Sequence, residues 1–200
     1  MITVFSKPIG QLQTNCYILG SVMIDPGDDV PALKAFVEET GTKPKYILLT
    51  HGHFDHMLGA YAMREYLGAK VYIGKADALA LSDSGICMAS AWCATPFTPM
   101  EPDGFLDAGE TEFDGLKFKV ISTPGHTKGG VALYSEQHRI LISGDTLFAH
   151  GYGRTDFPGG SMEQLAASLR TLLALPDDTM VYSGHYESAL MSEIRKGYSL

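Results

Sequence analysis

The chain has 200 residues, 45% of them apolar, with a formal net charge of −8. That is enough apolar content to bury a substantial core without a disulfide staple. The negative balance argues against nucleic acid or an anionic membrane as the main partner, and leaves room for a small-molecule substrate.

In chain order, Ile2 to Phe5, Cys16 to Leu19 and Val22 to Asp25 read as short strands. The last two are joined at Gly20-Ser21, as in a tight hairpin. The third ends in Asp25-Pro26-Gly27-Asp28, where Asp25 is either a turn former or a partner that orients a metal-bound histidine. Asp29 followed by Pro31 matches a helix start, and Leu33, Phe36 and Val37 form an apolar stripe that ends near Gly41. Tyr46 to Leu49 is apolar throughout, as in a strand covered on both faces. It runs into Thr50-His51-Gly52-His53-Phe54-Asp55-His56, followed by an expected helix from Met57 to Leu67. The strand period places His51 and His53 on one side, while Asp55 and His56 open the helix. Three imidazoles and a carboxylate so close together are costly to bury without partners. A metal satisfies them all, and four donors are enough to suggest two ions; a His-rich surface loop is the plain alternative.

Val71 to Ile73 reads as a strand and Lys75 to Leu81 as a short helix. From Ser82 to Asp107 the periodicity fails, and Ile86, Met88, Trp92, Phe97 and Met100 are scattered among Gly, Pro and Ser. Such a segment is a lid or pocket wall, or else a loop packed on its own side chains. Glu112-Phe113 and Leu116 to Ser122 flank the hairpin turn Asp114-Gly115, and the second strand runs into Thr123-Pro124-Gly125-His126. Val131 to Tyr134 and Ile140 to Ile142 form a further pair with His138 in the turn, and the latter strand leads to Ser143-Gly144-Asp145. Ser161 caps a helix with the stripe Met162, Leu165, Ala166, Leu169, Leu172 and Leu173. Met180 to Tyr182 is a strand that stops at Ser183-Gly184-His185, and Ser188 to Lys196 reads as a last short helix. Four strands therefore end in a ligand-type residue beside a glycine, at His51, His126, Asp145 and His185, and strand ends converge on one sheet edge.

Cys16, Cys87 and Cys93 show no Cys-x-x-Cys spacing. They read as reduced thiols of a cytoplasmic protein, Cys16 in a core and the other two in an exposed, irregular stretch. With no leader pattern and no apolar run of membrane-spanning length, the mature chain is expected to start at Met1 and residues 1–200 to form one domain.

The series His-x-His-x-Asp-His, then an isolated His, an Asp and a last His, resembles the metal motif of the metallo-β-lactamase superfamily. Within it, the chain is most similar to the glyoxalase II-like (hydroxyacylglutathione hydrolase-like) branch, from Asp25-Pro26-Gly27 to His185. The resemblance implies an α/β fold, a four-layer αββα sandwich. It also implies that His51, His53 and His126 hold one metal, that Asp55, His56 and His185 hold a second, and that Asp145 bridges them. Two divalent ions are expected, zinc first, with iron or manganese as alternatives. Ions sharing a water present hydroxide to a carbonyl carbon, with Asp55 as the catalytic group that holds or accepts the proton. The expected activity is metal-dependent hydrolysis of a thioester or ester of the hydroxyacylglutathione type, or of another small acyl or lactone substrate.

Two departures from that branch stand out. Glyoxalase II proper carries a C-terminal helical extension that supplies much of its glutathione pocket, whereas fifteen residues follow His185 here. The run Gly151-Tyr152-Gly153-Arg154-Thr155-Asp156-Phe157 resembles the Gly-Arg-Thr-Asp run of the persulfide dioxygenases and of the short glyoxalase II-like proteins, which makes a mononuclear iron dioxygenase the rival enzyme. A metal-bearing binding or regulatory module is the rival outside catalysis. Arg154 is expected to bind a substrate carboxylate or else to be pinned to Asp156 or to a backbone carbonyl. Trp92 and His150 are the other candidate substrate residues.

Overall fold

Short β-prone runs joined by tight turns pair as antiparallel neighbours, and parallel pairs need crossover connections; the first six strands use both and keep chain order. In the computed structural model, which describes residues 2–198, they are β1 (Phe5–Ile9), β2 (Thr14–Leu19), β3 (Val22–Ile24), β4 (Tyr46–Leu49), β5 (Lys70–Ile73) and β6 (Gly104–Phe105). They form one sheet in that order, antiparallel from β1 to β3 and parallel from β3 to β6. The connections carry α1 (Val30–Thr40), α2 (Phe54–Met57), α3 (Ala60–Leu67), a 3₁₀ helix at Lys75–Leu81, and α4 (Ala89–Trp92). Met1, the expected mature start, lies outside the described residues.

A second sheet is built from β7 (Gly109–Phe113), β8 (Leu116–Ser122), β9 (Val131–Ser135) and β10 (Ile140–Gly144), joined later in the chain by β13 (Met180–Ser183) and β14 (Ala189–Leu190). A two-stranded ribbon, β11 (Leu147–Phe148) with β12 (Gly151–Tyr152), and the helix α5 (Met162–Leu173) precede β13; α6 (Met191–Ile194) follows β14. The strand order is β14-β13-β10-β9-β8-β7.

Three apolar layers separate four layers of structure. Phe36, Ile47, Met63 and Val71 belong to the layer between the first sheet and its helices. Leu19, Leu48, Phe118 and Leu133 belong to the layer between the sheets. Leu141, Leu165, Leu172 and Met191 lie between the second sheet and its helices. Ile47 and Leu48 sit in different layers, which is why β4 carries no polar alternation. The result is an α/β sandwich of the αββα kind. No helix among the described residues is long and apolar enough to cross a membrane.

The structure departs from the sequence reading at four places. The first strand, expected over Ile2 to Phe5, instead spans Phe5–Ile9 and includes Pro8, tolerated because β1 is an edge strand and needs no second set of ladder donors. The expected helix Met57 to Leu67 is broken into α2 and α3 at Gly59, whose N–H donates to the Gly27 carbonyl and where a Cβ would overlap the Pro26 carbonyl. The Asp25-Pro26-Gly27 turn is thereby seated against α2. The expected last helix begins instead as β14. Cys87, expected in an exposed stretch, is buried, and with Ala89 and Met100 it belongs to the outer apolar layer beside α4. Much of the 82–107 segment is therefore a cover on the first sheet.

Candidate metal centre

The ligand-type side chains reach the centre from strand-end loops and from the first turn of α2, and several are fixed by a contact on their outer side. Asp25, at the end of β3, has a left-handed backbone (φ 49°), which Asp tolerates better than most residues. Its Oδ1 accepts from the Thr50 N–H at 2.8 Å and its Oδ2 from the Thr50 hydroxyl at 2.7 Å. The same Oδ2 lies 2.9 Å from His56 Nδ1. With its hydrogen committed to Asp25, the Thr50 hydroxyl accepts from His51 Nδ1, 3.0 Å away. Asp25 thus serves both readings open in the sequence, turn former and histidine partner. His126 Nδ1 donates to the Arg154 carbonyl at 2.7 Å, and His185 Nδ1 donates to the Leu12 carbonyl at 3.2 Å. Four imidazoles are consequently held with Nε2 facing inward.

The inward atoms meet in three overlapping groups: His51, His53 and His126; His51, His56 and Asp145; and Asp55, His56 and His185, each with donor atoms within 4.8 Å of one another. His53 Nδ1 stands 2.9 Å from His126 Nε2. Asp55 Oδ2 lies 3.4 Å from His56 Nε2 and 3.3 Å from His185 Nε2. Asp145 lies between the groups, with Oδ1 3.4 Å from His56 Nε2, and Oδ2 3.6 Å from His126 Nε2 and 3.4 Å from His185 Nε2. Thr14 donates to Asp55 Oδ2 at 2.7 Å. His51 Nε2, His56 Nε2 and Asp145 Oδ1 are buried with no hydrogen-bond partner. Buried ligand-type atoms left without a partner are costly unless a cation binds them, so the donor set fits divalent ions.

Electrostatics divide the cluster. Burial, reinforced by repulsion from neighbouring imidazoles, lowers His51 and His53, the latter to about 4. Burial opposes charge on His56 and His185 too, but Asp55 and Asp145 outweigh it and raise both, His185 to about 9. Burial likewise raises Asp55 and Asp145, yet the facing imidazoles prevail and hold Asp55 at about 2. Without metal His51 and His53 are held neutral, and the Asp55 side is a set of ion pairs.

Backbone approach completes the geometry. A Cβ at Gly184 would overlap Asp145 Oδ1 and would come within 2.7 Å of His56 Cε1. Asn15 donates to the Ser183 and Tyr186 carbonyls, and Tyr17 donates to Ser183 as well, which pins the strand end that delivers His185.

This fold is matched by known proteins. The family described as the metallo-beta-lactamase superfamily matches residues 9–185. The chain belongs to the metallo-β-lactamase superfamily. Among relatives of this superfamily chain, the probable metallo-hydrolase YqgX of Bacillus subtilis (strain 168) is 35% identical over 184 residues, 89% of this chain and 87% of that protein. Hydroxyacylglutathione hydrolase GloC of Haemophilus influenzae is 33% identical over 186 residues, 89% of this chain and 88% of that one. The crystal structure of BLEG-1 B3 metallo-beta-lactamase superposes with a TM-score of 0.92 at 33% identity, over 97% of each chain. That of TTHA1623 in a di-iron-bound form gives 0.89 at 37% identity, over 98% of this chain and 99% of that one. This member of the superfamily is a metallo-hydrolase with its His/Asp cluster in place.

The centre of this metallo-β-lactamase-fold chain opens into a cleft of about 380 Å³ lined by His53, Asp55, His126, Asp145 and His185 on its floor. Leu12, Met88, Trp92, Phe148, Tyr152, Phe157 and Tyr186 line the walls. Trp92 is 58% exposed with its ring 6.1 Å from that of Phe157. Phe97 and Met100 do not line the cleft; both pack on the outer apolar layer. Arg154 lines it, but makes two 2.7 Å hydrogen bonds to Asp156 and stacks 3.8 Å from the Phe157 ring centroid, the pinned arrangement. His150, expected in the pocket, is not there: the β11–β12 turn carries it outward, its side chain 90% exposed and 3.5 Å from Glu187. Leu12 and Tyr186 escaped the sequence reading because neither lies in a periodic run. Thr14 escaped it because a hydroxyl bonded to a carboxylate 41 residues away leaves no local signal.

Proposed function

We propose that this metallo-hydrolase cleaves a thioester of the hydroxyacylglutathione type, with two divalent ions, zinc first, at the His/Asp centre. The observation that carries the reading is the second ligand group, Asp55, His56 and His185, complete beside the three-histidine group and open to the same cleft. One ion needs only one of these groups. The relation to hydroxyacylglutathione hydrolase GloC supports the substrate class.

A pair of divalent ions supplies Lewis acidity and acidifies a water. The residues do the rest. His51, His53 and His126 would hold one ion through their ring nitrogens, and Asp145 stands between the two groups, its Oδ1 facing His56 and its Oδ2 facing both His126 and His185. Asp55 Oδ2, held by Thr14, faces the cleft floor and accepts the hydrogen bond that aims the attacking water. The apolar wall from Trp92, Phe157 and Tyr186 excludes bulk water and strengthens these interactions. A serine or cysteine nucleophile is not required.

The test is hydrolysis of S-lactoylglutathione by metal-loaded protein, with Asp55→Ala as the control. Cleavage that falls by orders of magnitude in Asp55→Ala supports the reading. Oxygen consumption with glutathione persulfide, without thioester cleavage, supports the dioxygenase rival instead. If metal-loaded protein turns over neither substrate, both enzyme readings fail for those compounds.

A further inference from the structure

The three-histidine group draws its ligands from two different sheets. His51 and His53 follow β4 of the first sheet, and His126 lies between β8 and β9 of the second. Their spacing therefore depends on how firmly two loops from opposite halves are tied. The 3₁₀ helix after β5 supplies a tie that lies outside the ligand set. Buried Asp77 accepts from the Gly52 N–H through Oδ2 at 3.0 Å and from the Gly129 N–H through Oδ1 at 2.6 Å. Gly52 stands between His51 and His53, and Gly129 stands three residues after His126.

The contact leaves no slack. A Cβ on Gly52 would come within 2.6 Å of Ala80 Cβ and 3.3 Å of the Asp77 carbonyl oxygen. A Cβ on Gly129 would overlap the Asp77 backbone nitrogen, and one on Gly74 would overlap the Gly129 carbonyl. A carboxylate bonded to two amides is charge-assisted at both ends, and it is also short enough to fix the gap between the loops. We infer that Asp77 is a positioning residue that sets the spread of the His51, His53 and His126 donors, acting on that ion and not on the one beside His185. The inference rests on the metal-centre reading above.

Asp77→Asn tests it, since the amide keeps one acceptor and turns a second N–H toward a loop N–H. The measurement is calorimetric titration of chelator-treated protein with zinc. It is made in two single-site backgrounds: His185→Ala, which keeps the three-histidine group, and His53→Ala, which keeps Asp55, His56 and His185. Asp77→Asn is expected to weaken zinc about 10- to 100-fold in the first background and to leave affinity unchanged in the second. Asp77→Glu, which keeps both acceptors on a longer arm, is expected to recover part of the loss and serves if the asparagine variant does not fold. Equal losses in both backgrounds, or none in either, overturn the clamp while leaving the metal centre standing. Absence of zinc binding by the unaltered chain overturns both.

Discussion

Replacing Asp25 by Asn changes one oxygen into an NH₂ and keeps the shape. The amide oxygen can still accept the Thr50 N–H, now in the 2.8 Å contact of Oδ1. The new NH₂ occupies the place of Oδ2, where it faces the Thr50 hydroxyl at 2.7 Å and His56 Nδ1 at 2.9 Å. Donating to the hydroxyl frees the Thr50 hydrogen to turn toward His51 Nδ1, and donating to His56 requires that Nδ1 be bare. Both imidazoles are then favoured with the proton on Nε2, the atom that faces the centre. Metal binding would demand that each return to the original tautomer against a mismatched donor, at about 1–3 kcal/mol apiece. His51 belongs to the three-histidine group and His56 to the other, so both ions should weaken, each about 5- to 150-fold. Zinc titration by calorimetry at neutral pH measures this, with circular dichroism to confirm folding. Asp25→Ala, which strands three buried donors, should instead lower the stability of the metal-free protein by several kcal/mol. Wild-type affinity for both ions in a folded Asp25→Asn protein would refute the tautomer argument.

Other outcomes follow from the same geometry. Gly184→Ala pushes a methyl into Asp145 and His56, and elemental analysis should find the metal content reduced from two toward one. Trp92→Ala removes about 1–2 kcal/mol of apolar contact from the cleft wall, so KM should rise about five- to thirtyfold in steady-state assays with metal content unchanged; loss of metal would mean the loop is structural. Phe118→Ala empties the layer between the sheets and should cost about 3–5 kcal/mol in urea denaturation. Metal-free protein should be most stable near the ordinary histidine pKa of 6.5. His53, held down to about 4, binds its proton only after the unfolded chain does, so stability falls as pH drops from 6.5 toward 4. His185, held up to about 9, keeps its proton longer than the unfolded chain, so stability also falls as pH rises from 6.5 toward 9. A monotonic melting curve over that range would contradict the split of the cluster.

Features set by neighbours in the chain were legible in the sequence. Asp29 and Gly41 bracket α1, Ser161 caps α5, and Tyr46 to Leu49 marks a doubly covered strand. The seven ligand-type residues were legible because each stands at the end of a recognisable strand or helix. Contacts made across the fold were not. Asp77 looks like any helix acid, and only folding places it between Gly52 and Gly129. Arg154 was open among a substrate carboxylate, Asp156 and a backbone carbonyl, and Asp156, two residues away, is the one it takes. His150 was misplaced because proximity to Asp145 in the chain says nothing about which way a tight ribbon turns. Trp92, Phe97 and Met100 share one aperiodic stretch, so pattern alone could not separate the cleft wall from the buried cover.

The split origin of the three-histidine group has a kinetic side. His53 and His126 are 73 residues apart, and the strands that flank them pair within separate sheets, so neither half offers a full set of donors by itself. Completion of that three-histidine set must wait until the halves have docked, after local pairing. Release runs the same path backwards: with donors anchored on both sides, departure of the ion is gated by the two halves drawing apart. Exchange of metal should therefore be slow and strongly temperature-dependent, like unfolding itself, and the ion serves as a bolt through the seam.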